Sequence, residues 1–172
     1  MLTGDHIILR PLKVTDWEKT IKWRNNISIK QQAMMHPFPI TELVEKEWYE
    51  EMVKSKSNKL VYFTITQKKD DKPIGFCMLN NINYIHKRCE LGIVIGNEES
   101  QGKGYGKEAM ELLINYAFYT LNLNKITLEV VENNIAAIKL YKNLDFIEEG
   151  KLIQHLSIDG YYSNVYILSK FK

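Results

Sequence analysis

One stretch leaves the backbone few choices. Cys89-Glu90-Leu91-Gly92-Ile93-Val94-Ile95 reads as a strand and is followed by Gln101-Gly102-Lys103-Gly104-Tyr105-Gly106-Lys107. The period then changes: Ala109, Leu112, Leu113, Tyr116 and Ala117 fall on one face of a long helix. A strand delivered into a helix through glycines spaced by two lets successive N–H groups curl inward. At a helix N-terminus, where unpaired donors and the positive dipole end coincide, that curl makes an anion site. Lys103 and Lys107 add charge at its rim. Glycines also shape ordinary loops, so the segment alone leaves both readings open.

Two familiar phosphate motifs fail by counting. A Walker loop needs Gly and Ser/Thr where this chain has Gln101 and Glu108. A dinucleotide fingerprint starting at Gly102-x-Gly104 needs a third Gly where Lys107 stands.

The remaining pattern predicts a mixed α/β protein with a central, mostly antiparallel sheet flanked by helices. Ile7-Ile8-Leu9 is a short strand, and Thr15-Asp16-Trp17-Glu18 has the form of a capping box before a helix through about Trp23. Thr41 caps a second helix in which Val44, Trp48 and Met52 recur every four residues. Strands follow at Leu60 to Thr66 and Ile74 to Leu79, around a turn at 69–73. Lys125 to Val131 alternates as a strand, and Asn134 caps a helix with Ala137, Ile138, Tyr141 and Leu144 inward. Phe146 to Leu152 and Tyr161 to Leu168 close the chain, joined near Asp159-Gly160. No linker or repeat divides residues 1–172, so one domain is expected.

Composition narrows the partners. With 45% apolar and 26% charged residues the chain is an ordinary globular one, and a net charge of +2 gives no basic face for nucleic acid. No apolar run reaches the roughly 20 residues a bilayer crossing needs, and the N-terminus lacks a signal-peptide pattern. No membrane partner is expected. Cys77 and Cys89 read as reduced, buried thiols of a cytoplasmic protein. His6, His36, His86 and His155 form no metal-ligand spacing, so no metal is expected.

Gln101-x-x-Gly104-x-Gly106 opening a helix resembles the acetyl-CoA signature of the GCN5-related N-acetyltransferase (GNAT) superfamily. Asn133-Asn134-Ile135-Ala136-Ala137-Ile138-Lys139-Leu140-Tyr141-Lys142-Asn143-Leu144-Asp145-Phe146 resembles that family's Asn-x-x-Ala-x-x-x-Tyr-x-x-x-Gly-Phe segment, with Asp145 where Gly is usual. The resemblance runs from about Ile7 to the end. Ile82-Asn83-Tyr84-Ile85-His86-Lys87-Arg88, the helix end Leu121-Asn122-Leu123 and the tail from Glu149 to Tyr162 look like the spermidine N-acetyltransferase branch. Trp23-Arg24-Asn25 and Leu128 to Asn134 look like the branch that acetylates amino-sugar nucleotides. His36-Pro37-Phe38-Pro39 lacks the acidic pair expected of spermidine enzymes.

The resemblance implies acetyl transfer from acetyl-CoA to a primary amine of a small molecule, a polyamine or an amino sugar, by direct attack. A protein N-terminus as acceptor, and a non-catalytic acetyl-CoA-binding module, are the alternatives. It implies that Ile93, Val94 and Ile95 pair with the pantetheine arm. The diphosphate would sit on Gln101, Gly102, Lys103, Gly104, Tyr105, Gly106 and Lys107, with Asn134 and Lys139 on the far side. Tyr141 is the expected general acid, since a phenol of pKa about 10 is protonated at neutral pH and can donate to a leaving thiolate. Glu90, or an ordered water, is the expected base. Trp23, Arg24 and Asn25 either bind an acceptor phosphate or finish a helix. His86 either approaches the acceptor or is a surface residue. The glutamates of 41–52 either attract a polycation or form a solvated helix face. Homodimers are common in the superfamily.

Overall fold

The computed structural model describes residues 1–35 and 37–172. His36, part of the segment read for an acidic pair, lies outside the described residues.

Eight strands form one sheet in the order β1-β2-β3-β4-β5-β6-β8-β7. They are β1 (Leu2–Thr3), β2 (Ile7–Pro11), β3 (Val61–Gln67), β4 (Pro73–Asn83), β5 (Arg88–Ile95), β6 (Lys125–Val131), β7 (Ile147–Ile158) and β8 (Tyr161–Phe171). Every neighbouring pair is antiparallel except β5–β6, which is parallel. Helices α1 (Trp17–Asn25), α2 (Ile27–Gln32) and α3 (Glu42–Lys54) lie between β2 and β3 in the chain, α4 (Tyr105–Asn115) between β5 and β6, and α5 (Ile135–Asn143) between β6 and β7.

The pleat sorts the strands into two faces. Ile126, Leu128 and Val130, with Cys77, Leu79 and Leu91, pack against Ala109, Met110 and Leu113 of α4 and against Tyr141 and Leu144 of α5. On the other face Phe76 and Val94 meet Trp23 of α1 and Ile29 of α2. Cys77 and Cys89 are buried free thiols, the latter pushed up to about 12 by burial. Among the described residues no helix is long and apolar enough to cross a membrane.

Three local expectations change. Thr15 does not cap α1; a single 3-10 turn (Val14–Asp16) precedes it, and the Asp16 carboxylate turns into the protein. It takes the guanidinium of Arg10 at 2.8 Å through both oxygens and the hydroxyl of Thr64 at 2.7 Å. In α3, Thr41 does accept the Val44 N–H, but the buried positions are Glu45 and Tyr49, one residue round from the apolar stripe. Val44 is exposed. Third, α2 and the two-residue β1 carry too little periodic pattern to announce themselves.

Other signals hold. Asn134 accepts the Ala137 N–H at the start of α5, and Asp145 has φ of 60°, the left-handed conformation usually left to Gly. Asp159 and Gly160, both at positive φ, form the two-residue turn between β7 and β8.

Candidate active site

The site begins with a parting of strands. β5 and β6 pair only through Arg88–Lys125, Cys89–Ile126 and Glu90–Thr127. Beyond Glu90 the β5 edge from Leu91 to Ile95 has no neighbouring strand on that side among the described residues. Unpaired backbone groups demand partners, and an extended ligand can supply them as an added strand does. Gln101 already donates to the Ile95 carbonyl at 2.9 Å.

A cavity of about 780 Å³ opens at this parting, within the size range of small-molecule sites. Ile93, Val94 and Ile95 form one wall. Gln101, Gly102, Gly104, Gly106 and Lys107 bring the start of α4 to its mouth. Gly102 and Gly104 have φ of 72° and 84°, and among the described residues no side chain caps the helix. The first N–H groups of α4 are thus left for an outside anion, which fits the diphosphate of coenzyme A.

Asn134 and Tyr141 of α5 line the cavity as well. Tyr141 is 8% exposed, and its hydroxyl has no hydrogen-bond partner among the described residues. Burial pushes the phenol up to about 12, so it stays protonated throughout the neutral range.

Glu90 enters from β5, held by the Asn81 side-chain amide at 2.9 Å. A bulge places that amide: the β4–β5 register slips between Asn80 and Asn83, and Asn81 adopts φ of 49°. Glu129 of β6 lines the same cavity. Met34, Met35 and Met78 add apolar wall from the α2 side and β4.

Several expected site residues lie elsewhere. Lys103 and Lys139 are exposed outside the cavity wall. Tyr105 turns to the side of the sheet where His6 lies, with ring centroids 6.5 Å apart. His86 sits in the exposed β4–β5 turn, where its N–H bonds to Asn83. Trp23 is core and lies against Gly96, where even a Cβ would strike its ring. Arg24 binds Glu45 at 2.7 Å and lies over the Trp48 ring at 5.2 Å. Asn25 makes two bonds to the backbone of Ile40. The triplet therefore finishes α1 and ties it to the entry of α3.

Sequence reasoning missed Asn80, Glu129 and the α2 segment at the cavity, and Asn81 behind Glu90. Only the alternation of β6, which puts Glu129 two residues beyond Thr127 on one face, could have signalled any of them.

Comparison with known proteins gives the family. The Acetyltransferase (GNAT) domain family matches residues 6–147. Spermidine N(1)-acetyltransferase of Vibrio cholerae is 33% identical over 162 residues, covering 94% of this chain and 91% of that protein. The Escherichia coli K12 enzyme of the same name is 32% identical, covering 95% and 85%. The crystal structure of the Vibrio cholerae spermidine N-acetyltransferase with CoA and spermine superposes with a TM-score of 0.88 at 30% identity, covering 96% of this chain and 95% of that one. With a family match across most of its length and relatives of this similarity, the chain belongs to the GNAT acetyltransferase family and is an acetyl-CoA-dependent N-acetyltransferase.

Proposed function

We propose that the acceptor is a polyamine and that Glu90 and Tyr141 carry its acetylation. The observation that carries the acceptor is a charge imbalance in the cavity. Glu90 is held only by the neutral Asn81 amide, and Glu129 has no cationic partner among the described residues. Several carboxylates outside the cavity are matched, Glu45 by Arg24, Glu149 by Lys125 and Glu132 by Lys151. Two unmatched carboxylates in one cavity suit an acceptor with more than one ammonium group. The spermidine acetyltransferases to which the chain is similar give the same direction.

Bound acetyl-CoA supplies the acetyl group as a thioester. The backbone of Ile93 to Ile95 orients its arm, and the start of α4 holds its diphosphate. Glu90 draws a proton from the acceptor ammonium, directly or through water, because only the neutral amine is a nucleophile. Tyr141 donates its phenolic proton to the departing thiolate and regains one, through water, from the nitrogen as the amide forms.

The amino-sugar-nucleotide alternative gave Arg24 to an acceptor phosphate. That guanidinium is spent on Glu45 and Trp48, which favours the polyamine. The reading extends to a cytoplasmic homodimer working through the single domain 1–172. Sedimentation tests the assembly.

The deciding experiment follows thiol release from acetyl-CoA with spermidine, a monoamine and an amino-sugar nucleotide. Polyamine-dependent release above the other two is expected. Release with the sugar nucleotide alone overturns the acceptor, and binding of coenzyme A without release to any amine overturns catalysis.

A further inference from the structure

Asn80, Glu90 and Thr127 line the cavity and belong to a row of polar side chains that crosses four strands. Asn80 of β4 lies opposite Glu90 of β5, Glu90 opposite Thr127 of β6, and Thr127 opposite Ser169 of β8. Side chains at directly paired positions share a face of the sheet. The row crosses the point where β5 and β6 part.

Its hydrogen bonds run away from Asn80. The Ser169 hydroxyl donates to Glu149 at 2.7 Å, so the 3.0 Å contact between Thr127 and Ser169 uses the Thr127 proton. Glu90 accepts from Asn81, and an ionised carboxylate has no proton to give. The next pair on that face, Met78 and Gly92, carries no side-chain donor either. The Asn80 Oδ1 is accordingly buried with no hydrogen-bond partner, the one buried side-chain polar atom so placed among the described residues. An unpartnered buried oxygen is a standing cost to the fold. Asn80 also lines the cavity.

We propose that Asn80 is a specificity residue of the acceptor site, its side-chain carbonyl accepting an N–H of the incoming amine beside Glu90. The donor that the sheet lacks is supplied by the substrate. The χ2 torsion of asparagine is broad, and its rotation turns the oxygen toward the cavity when the donor arrives. Carboxylate and amide carbonyl together then fix the nitrogen whose lone pair must face the thioester. The inference rests on the polyamine reading and names a further group that recognises its amine.

The test compares Asn80→Leu, of similar volume and without the orphan oxygen, with Asn80→Asp, which keeps an acceptor. For Asn80→Leu, kcat/KM for spermidine should fall about tenfold or more, the worth of a hydrogen bond from a charged donor. Affinity for coenzyme A should not change, and the Tm should stay level or rise, because no bond within the protein is lost. Asn80→Asp should recover part of kcat/KM. A lower Tm in Asn80→Leu, marking the amide as part of the scaffold, overturns the inference, as does unchanged kcat/KM. Failure of the polyamine reading is separate: the wild-type protein would then show no spermidine-dependent thiol release.

Discussion

Arg24 Nη1 and Glu45 Oε2 lie 2.7 Å apart, and the Glu45 carboxylate has no exposure to solvent. Thr20 donates to its other oxygen at 2.8 Å. This pair binds α1 to α3. Removing one member of a buried ion pair costs about 3–5 kcal/mol. Glu45→Ala should fall near the lower end, because Arg24 reaches solvent. Urea denaturation measures it, and a loss under about 1 kcal/mol contradicts the assignment.

Tyr141→Phe removes one proton and little volume. Turnover should fall about a hundredfold, within the range for general acid catalysis, while coenzyme A affinity stays near wild type. With its pKa pushed up to about 12, Tyr141 should contribute no loss of kcat on the alkaline side below about pH 10. Stopped-flow thiol release across pH separates the two statements.

Gly104 has φ of 84°, and beyond its chain neighbours a Cβ there would meet no atom of the described residues within 4 Å. The penalty for a side chain is therefore backbone strain and intrusion on the ligand. Gly104→Val should weaken coenzyme A binding by about tenfold, from the 1–2 kcal/mol that the left-handed conformation costs other residues. Isothermal titration reads it, and normal affinity removes the loop from the diphosphate site.

Burial alone would raise the Asp16 carboxyl. The hydrogen bonds from Arg10, the Lys13 N–H and Thr64 outweigh that and hold it below the usual range. A carboxyl depressed in the folded state stabilises fully above its unfolded value of about 3.9 and loses that contribution as pH falls through the folded value. Acid unfolding of the wild type should therefore steepen below about pH 4, and Asp16→Asn should be less stable at pH 7 with a flatter acid limb. Denaturant midpoints at pH 7, 4 and 3 check the sign.

Glu129→Gln removes one of the two unmatched cavity carboxylates. KM for spermidine should rise about tenfold, with a smaller change for a monoamine. Equal effects on both acceptors would mean that Glu129 does not sense the second charge.

The site was legible where backbone geometry dictates residue type. Gly102, Gly104 and Gly106 mark the turn, Asn134 the cap, and Tyr141 the inner face of α5. Long strands such as β6 could be read from alternation. Glu45 could not, because a buried glutamate looks like its solvated neighbours until the partner 21 residues earlier is found. Asn80 and Asn81 were hidden for another reason: a bulge and a cross-strand register set their directions, and neither has a local sequence signature. Trp23-Arg24-Asn25 was read as either contact or scaffold, and only tertiary partners distinguish them.

Three residue pairs hold β5 to β6, whereas seven hold β6 to β8. The sheet is thus two panels on a narrow seam, and a guest laid along the open lip of β5 is mortar as much as reagent. Mass action then makes the melting temperature climb with coenzyme concentration, and those amides between Leu91 and Ile95 that point away from β4 should exchange with deuterium more slowly once the seam is filled.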